Sequence, residues 1–203
     1  MAEFWKQLGA WGGIFSGIQF AIITLGIMLF YPEGYDFLNN TFSSLGLTVT
    51  NGYATPINHA LFAIAGTVAA GASVPFWLSI RTVFTESTPQ KVISWIGTIL
   101  GLAAAPFLAS LTIFAGDVFP LEHGLSTILF FILFALAIGV YSFGILLNKE
   151  YDNKFALVGF VVAILDIVYI FFIGTAWMQK VAVYGMILYS VFQGYRLRQV
   201  FAE

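Results

Sequence analysis

No cysteine occurs in the 203 residues, which excludes disulfides, thiolate metal sites and thiol chemistry. Charge is almost as scarce. Asp, Glu, Lys and Arg make up 9% of the chain, against about 25% in a soluble domain, so there are too few ionic groups to cover the protein with a hydrated surface. The formal net charge of −2 argues against nucleic acid as a partner. Signature loops are missing too: the chain has no G-x-S-x-G, no H-E-x-x-H, no Walker loop and no dinucleotide fingerprint. Rings of charge or a filter-like loop for ion conduction are lacking as well. The N-terminal stretch MAEFWKQLGAWGG has no small-residue cleavage site behind a short apolar core, so no removed signal peptide is expected.

What the chain has in quantity is apolar sequence, 60% of residues at a mean hydropathy of +0.91. Crossing a ~30 Å hydrocarbon core takes roughly 20 apolar residues at 1.5 Å rise each. Six runs qualify, at residues 11–31, 57–80, 92–116, 124–147, 155–175 and 178–197. The reading is an all-α, single-domain, six-helix transmembrane bundle. The second and third runs are rich in Ala, Gly and Ser, residues that let helices approach closely in lipid, which places the second in the middle of the bundle. Pro75 should kink it. Gly97 and Gly101 have the G-x-x-x-G spacing of a close crossing. The fourth run carries Phe130, Phe131, Phe134 and Phe143 and is expected to face lipid. Lys180 and Arg196 bracket the sixth, with stems long enough to snorkel to the interface.

Lys6, Arg81, Lys91, Lys149, Lys154, Arg196 and Arg198 fall on one side of this threading, and Lys180 alone on the other. The positive-inside rule then puts both termini in the cytoplasm, and a prokaryotic plasma membrane is the expected location. The segment Tyr31–His59, with its loop 32–56, faces outward. It is the longest polar interruption in the chain and contains no Lys or Arg. Phe37, Leu38, Phe42, Leu45, Leu47, Val49 and Tyr53 are interspersed in it, so it should fold back as an ordered lid, with Asn40–Gly46 against the Asp117–His123 loop.

Polar residues converge beneath that lid. Asn58 and His59 open the second helix, Asp117 closes the third, and Glu122 and His123 open the fourth. One reading is structural: Asn58 and Glu122 as caps, and the histidines as hydrogen-bonded boundary residues. The other is a shallow polar pocket in which His59, Asp117 and His123, with Ser43, act as acid, base, nucleophile or metal ligands, and Asn40, Ser44, Asn58 and Glu122 contact substrate. No cofactor is identified. Asp166 stands apart, eleven residues into the fifth run and near the bilayer centre. A carboxylate there costs several kcal/mol unless it is protonated, paired or wet. No basic residue is expected at its depth. Hydroxyls and amides such as Ser16, Gln19, Thr24, Ser73, Thr112 and Tyr189 are candidate partners, and Tyr169, one turn outward, would extend a polar path.

The segment Asn40-Thr41-Phe42-Ser43-Ser44-Leu45-Gly46 resembles the N-x-(apolar)-S-x-L-G signature after the first helix of the domain of unknown function 998 family. Gly116-Asp117-Val118-Phe119-Pro120 with His123 is similar to that family's entry into its fourth helix. The layout is also similar to Frag-like and DRAM-type membrane proteins. The resemblance implies six helices and no assigned reaction, and the architectural likeness implies lipid remodelling. Three functions follow as expectations: a lipid-handling protein with a headgroup pocket at the outer leaflet, a membrane hydrolase or transferase built on His59, Asp117 and His123, and a small proton-linked transporter using Asp166. The expected partners are membrane lipids or a small-molecule substrate. Oligomeric state stays open.

Overall fold

The computed structural model describes residues 2–149 and 151–202. Six helices carry the chain: α1 (Ala2–Leu29), α2 (Pro56–Ile80), α3 (Thr88–Ile113), α4 (Pro120–Leu147), α5 (Lys154–Phe171) and α6 (Ala176–Val200). Five of them, α1 to α5, are long and apolar enough to cross a membrane. Large apolar side chains cover the outside as well as the inside: Phe15, Ile22, Ile64, Ile99, Leu136 and Leu157 are all exposed. Helices apolar all round belong in lipid or in a large core, and a 203-residue chain has no core of that size. The protein is an integral membrane protein on this composition and geometry.

Each helix packs on its neighbours in the chain, and α6 closes back on α1. Short connections make α2 to α6 successively antiparallel, and the longer 30–55 segment returns the chain from α1 to α2. One end of the bundle holds 30–55, 114–119 and 172–175, and is called the loop face below. The other holds both termini.

α1, α2, α3, α4 and α6 surround a central cavity of about 80 Å³, while α5 lies outside it. Gly159 of α5 sits against Ser142 and Ile138 of α4 and against Tyr189 of α6, so α5 fills the notch between those two helices. Its buried stripe is Ala156, Gly159, Val162 and Asp166, the three-and-four spacing of one helical face.

The helix starts follow from local chemistry. α2, α3 and α4 all open with Pro in the first turn, where its missing N–H has no partner to lose. Ser87 caps α3 by accepting from the Gln90 amide. Asn58 and Glu122 are not caps. The N-cap positions of α2 and α4 are Thr55 and Phe119, and Asn58 and Glu122 lie within the first turns. α2 runs through Pro75 to Ile80 as one helix.

Two packing expectations are overturned. α4, expected to face lipid, is the most buried of the five apolar helices. Phe130, Phe131 and Phe134 point inward, and only Phe143 faces out. The reason lies in the small residues opposite. A Cβ on Gly97 would come 2.7 Å from the Tyr141 ring of α4, and Gly101 lies under the Trp77 ring of α2. Trp77 stacks on Tyr141 at 5.8 Å and meets Phe134 edge-on at 5.6 Å. The expected close approach at Gly97 and Gly101 is thus real, but it seats two rings from two different helices. Thr98 locks the arrangement, its hydroxyl 2.6 Å from the Tyr141 hydroxyl, while Tyr141 also donates to the Ser94 carbonyl. The second correction concerns α2, which is a member of the ring rather than its centre. One face buries Ala65, Gly66, Ala69 and Ala70, whereas Leu61, Ile64 and Val68 are exposed.

Candidate functional site at the loop face

The lid is ordered. After α1, Glu33 and Gly34 turn the chain with positive φ. A 3-10 turn follows at Ser43–Gly46, then a two-residue-loop hairpin that pairs β1 (Val49–Thr50) with β2 (Tyr53–Ala54). Asn51 and Gly52 take φ of 50° and 82°, the left-handed pair that such a hairpin demands and that Asn-Gly supplies at least strain. Phe42 and Leu45 are the lid's anchors, buried against Phe20, Ile27, Phe62 and Ala65 of α1 and α2. Leu47 is half-buried. Phe37, Leu38, Val49 and Tyr53, expected inside, are exposed, because the lid is anchored by Phe42, just before the 3-10 turn, and Leu45 within it.

The polar residues beneath are latches for this lid. Asp117, in the turn after α3, accepts from the Thr48 amide (3.0 Å), the Thr48 hydroxyl (2.7 Å) and the Val49 amide (3.0 Å). Partial burial pushes its carboxyl up, but these hydrogen bonds outweigh that and hold it below the usual carboxylate range. His59 places Nδ1 2.8 Å from the Gly46 carbonyl. His123 places Nδ1 3.0 Å from the Phe114 carbonyl, across the α3–α4 turn. The lid contact with the 117–123 region is therefore made through Thr48 and Val49, just past the Asn40–Gly46 segment expected to make it.

Each histidine ties down a backbone carbonyl of its own. Among the described residues no group of three His, Asp or Glu side chains is placed to hold a metal ion. Ser44 turns back onto the Thr41 carbonyl at 2.7 Å. Asn58 is half-buried and Glu122 exposed. Ser43 faces α6 instead, where its hydroxyl accepts from Gln179 at 3.4 Å.

That contact leads to residues the sequence reading missed. Gln179 and Lys180, in the first turns of α6, are buried, Lys180 to 1% exposure. The Gln179 side-chain oxygen accepts from the Phe42 amide at 2.7 Å, at the head of the 3-10 turn. Lys180 donates to the Asn40 carbonyl and to the Ala176 carbonyl at 3.3 Å. Its ammonium also stands over the Tyr35 and Phe37 rings, 5.3 and 5.2 Å from their centroids, within cation–π range. Tyr35 completes the cage by donating to the carbonyls of Asn40 (3.1 Å) and Thr41 (3.0 Å). Burial pushes its phenol well up, so it stays a donor. The Asn40 side chain donates to the Tyr31 hydroxyl at 3.0 Å. Lys180 does not snorkel; the lid covers it. The available signal was its isolation, as the only cation on its side of the threading.

From Lys180 a groove of about 750 Å³ runs between α5 and α6, with almost no polar surface. Leu157, Val161 and Leu165 line one wall, and Val181, Gly185 and Leu188 the other. Phe37 and Leu38 of the lid close its loop end beside Lys180. α5 and α6 are the least closely packed of the neighbouring helix pairs, which leaves room for the groove, and they approach each other at Gly159 and Gly185. Along α6 it reaches from Trp177 to Phe192, roughly 22 Å at 1.5 Å per residue.

Asp166 is fully buried, and neither carboxylate oxygen has a hydrogen-bond partner among the described residues. Five of its expected partners bond elsewhere, and the sixth, the buried Tyr189 hydroxyl, has no hydrogen-bond partner among the described residues either. Ser16, Thr24, Ser73 and Thr112 bond carbonyls of their own helices, and Gln19 bonds the Ala65 carbonyl. α5 ends at Phe171 rather than Thr175, so Asp166 sits about 7.5 Å from the helix's loop end instead of midway. Lys180 stands at a similar depth on α6, but it is turned to the lid. The only salt bridge among the described residues is Lys154–Asp152, at the other end. Tyr169, the next turn of α5, packs its ring on Phe131 at 4.9 Å.

Compared with known protein families, with curated proteins and with solved structures, the chain finds no match.

Proposed function

We propose that this protein binds a membrane lipid, with an acyl chain lying in the α5–α6 groove and the headgroup at the loop face. The observation that carries this reading is the groove itself. Its 750 Å³ falls in the roughly 300–1,000 Å³ range of ligand sites, and it is apolar along its length. Its ~22 Å exceeds one leaflet of a ~30 Å core. It also opens sideways, since Leu157, Val161 and Leu188 are exposed, so a ligand can enter from the bilayer without passing through water.

The proposal includes six transmembrane spans, with the less apolar α6 as the sixth, and both termini in the cytoplasm of a prokaryotic cell. The seven-to-one split of basic residues supports that orientation. Kinship with the 998 family is also part of it. Both segments on which that kinship rests, Asn40–Gly46 and Gly116–Pro120, lie at the loop face. A second reading, proton-linked movement of the ligand, is favoured by one observation: a fully buried carboxylate without a hydrogen-bond partner among the described residues, at Asp166, next to groove-lining Leu165.

Native mass spectrometry of protein purified in mild detergent tests the main reading. The wild type should carry bound lipid, and Leu188→Trp, which fills the groove from an exposed position, should not. A wild type without lipid, or a Trp variant that retains it fully, would overturn the reading.

A further inference from the structure

The groove's one charged wall residue says what kind of lipid it takes. Lys180 is 1% exposed, yet it forms no salt bridge within the described residues. Its hydrogen bonds go to two neutral carbonyls, those of Asn40 and Ala176. An ammonium has three donors, so these two bonds leave one, and Lys180 itself lines the loop end of the apolar groove. Asp36 is the acidic group whose field reaches it. That carboxylate is exposed and is already taken by the amides of Leu38 (2.9 Å) and Asn39 (3.1 Å) and by the Asn39 side chain (2.8 Å). Removing a cation from water costs several kcal/mol unless a counter-charge and hydrogen bonds replace the solvent. Here carbonyls, two aromatic faces and the field of the exposed Asp36 supply part of the replacement, and no carboxylate among the described residues is in contact with the ammonium.

We infer that the counter-charge belongs to the ligand, and that the groove selects an anionic phospholipid whose phosphate pairs with Lys180 while an acyl chain lies between α5 and α6. This rests on the lipid-binding reading above and names its headgroup class. Three features favour a phospholipid from the bilayer over a water-borne anion. The groove opens laterally; the lid covers Lys180 from the loop face; and the groove that Lys180 lines is otherwise apolar, able to hold a chain but not a hydrated ion. A neutral zwitterionic headgroup would bring its own cation into the cage of Lys180, Tyr35 and Phe37, where a second positive charge is repelled. The same cage links ligand to lid, because Asn40, Tyr35 and Phe37 all belong to the segment that the 3-10 turn anchors.

The test reconstitutes wild type in nanodiscs of equimolar phosphatidylcholine and phosphatidylglycerol, and reads the retained lipid by native mass spectrometry after transfer to detergent. Phosphatidylglycerol should be retained at least ten times more often than phosphatidylcholine. Lys180→Arg should keep that preference, and Lys180→Gln should abolish it while still holding lipid. Equal retention of both lipids by the wild type would overturn the headgroup assignment and leave the acyl groove standing. Retention of neither would overturn the lipid reading beneath it. Displacement of phosphatidylglycerol by an equal amount of palmitate would assign the pairing to a free fatty acid and overturn the phospholipid. Wild-type selectivity decides the matter even where Lys180→Gln fails to fold for want of its lid contacts.

Discussion

Asp166 offers the sharpest test of what a buried polar group costs this fold. Its side chain is fully buried and both oxygens lack partners among the described residues. Even as a neutral acid it would keep a donor and an acceptor without hydrogen bonds, and a buried unsatisfied group costs about 1–3 kcal/mol. Replacing it with valine removes both polar atoms at similar volume. Asp166→Val should therefore stabilise the protein by about 2 kcal/mol, which for a chain of this size is ~4–8 °C in the unfolding midpoint. Asp166→Asn keeps two polar atoms in the same shape and should stay within about 1 kcal/mol of wild type. Thermal unfolding in one detergent, followed by circular dichroism, compares the three. A stability penalty retained at one position is what a working residue shows. On the proton-linked reading, proton uptake on adding lipid, followed with an indicator dye in weakly buffered solution, should be seen in wild type and lost in Asp166→Asn. A valine variant less stable than wild type would refute the energetic reasoning, since it would mean that the carboxyl stabilises the native state. An asparagine variant with unchanged stability and unchanged proton uptake would remove the functional role.

Gly97→Ala drives a methyl to 2.7 Å from the Tyr141 ring, which Thr98 and Ser94 hold in place. It should cost about 1–3 kcal/mol, whereas Gly71→Ala, with open space around it, should gain up to about 1 kcal/mol from helix propensity; equal midpoints would contradict the packing described. The Asp117 carboxyl is held low in the folded protein, so its grip on Thr48 and Val49 is complete above the unfolded value of about 3.9. That grip is lost as pH falls through the folded value, worth about 1–2 kcal/mol at this exposed site. Protease cleavage in the 48–54 hairpin should thus rise below about pH 4, and in Asp117→Asn it should be high at every pH. A cysteine at Asn51 should react with an impermeant maleimide from outside intact cells and one at Thr88 should not; the opposite pattern would reverse the proposed orientation.

Apolar run length and the scarcity of charge were enough, read along the chain, to specify an all-helical membrane protein with six helices and an ordered polar lid. Those properties are local: a stretch of 18 or more apolar residues is helical in lipid whatever it packs against, because its backbone must satisfy itself. Most helix ends moved by a few residues, α1 begins nine residues before its apolar run, and α5 ends at Phe171, four residues before Thr175. The hairpin at Asn51-Gly52 went unread, although the left-handed preference of that dipeptide is intrinsic.

What each side chain faces was not legible, since in a membrane the lipid-facing and the buried surfaces are both apolar, and periodicity cannot separate them. So Phe130, Phe131 and Phe134 of α4 looked like lipid contacts until Trp77 was brought against Phe134 and Tyr169 against Phe131 in space. His59, Asp117 and His123 were gathered correctly to one face, but only tertiary structure turned each onto a separate lid or turn contact. The same holds for Lys180. Sequence marks it as the solitary cation of its side, and the fold alone covers it with the lid and opens a groove beside it, because the spacing of α5 from α6 is decided by packing between distant residues.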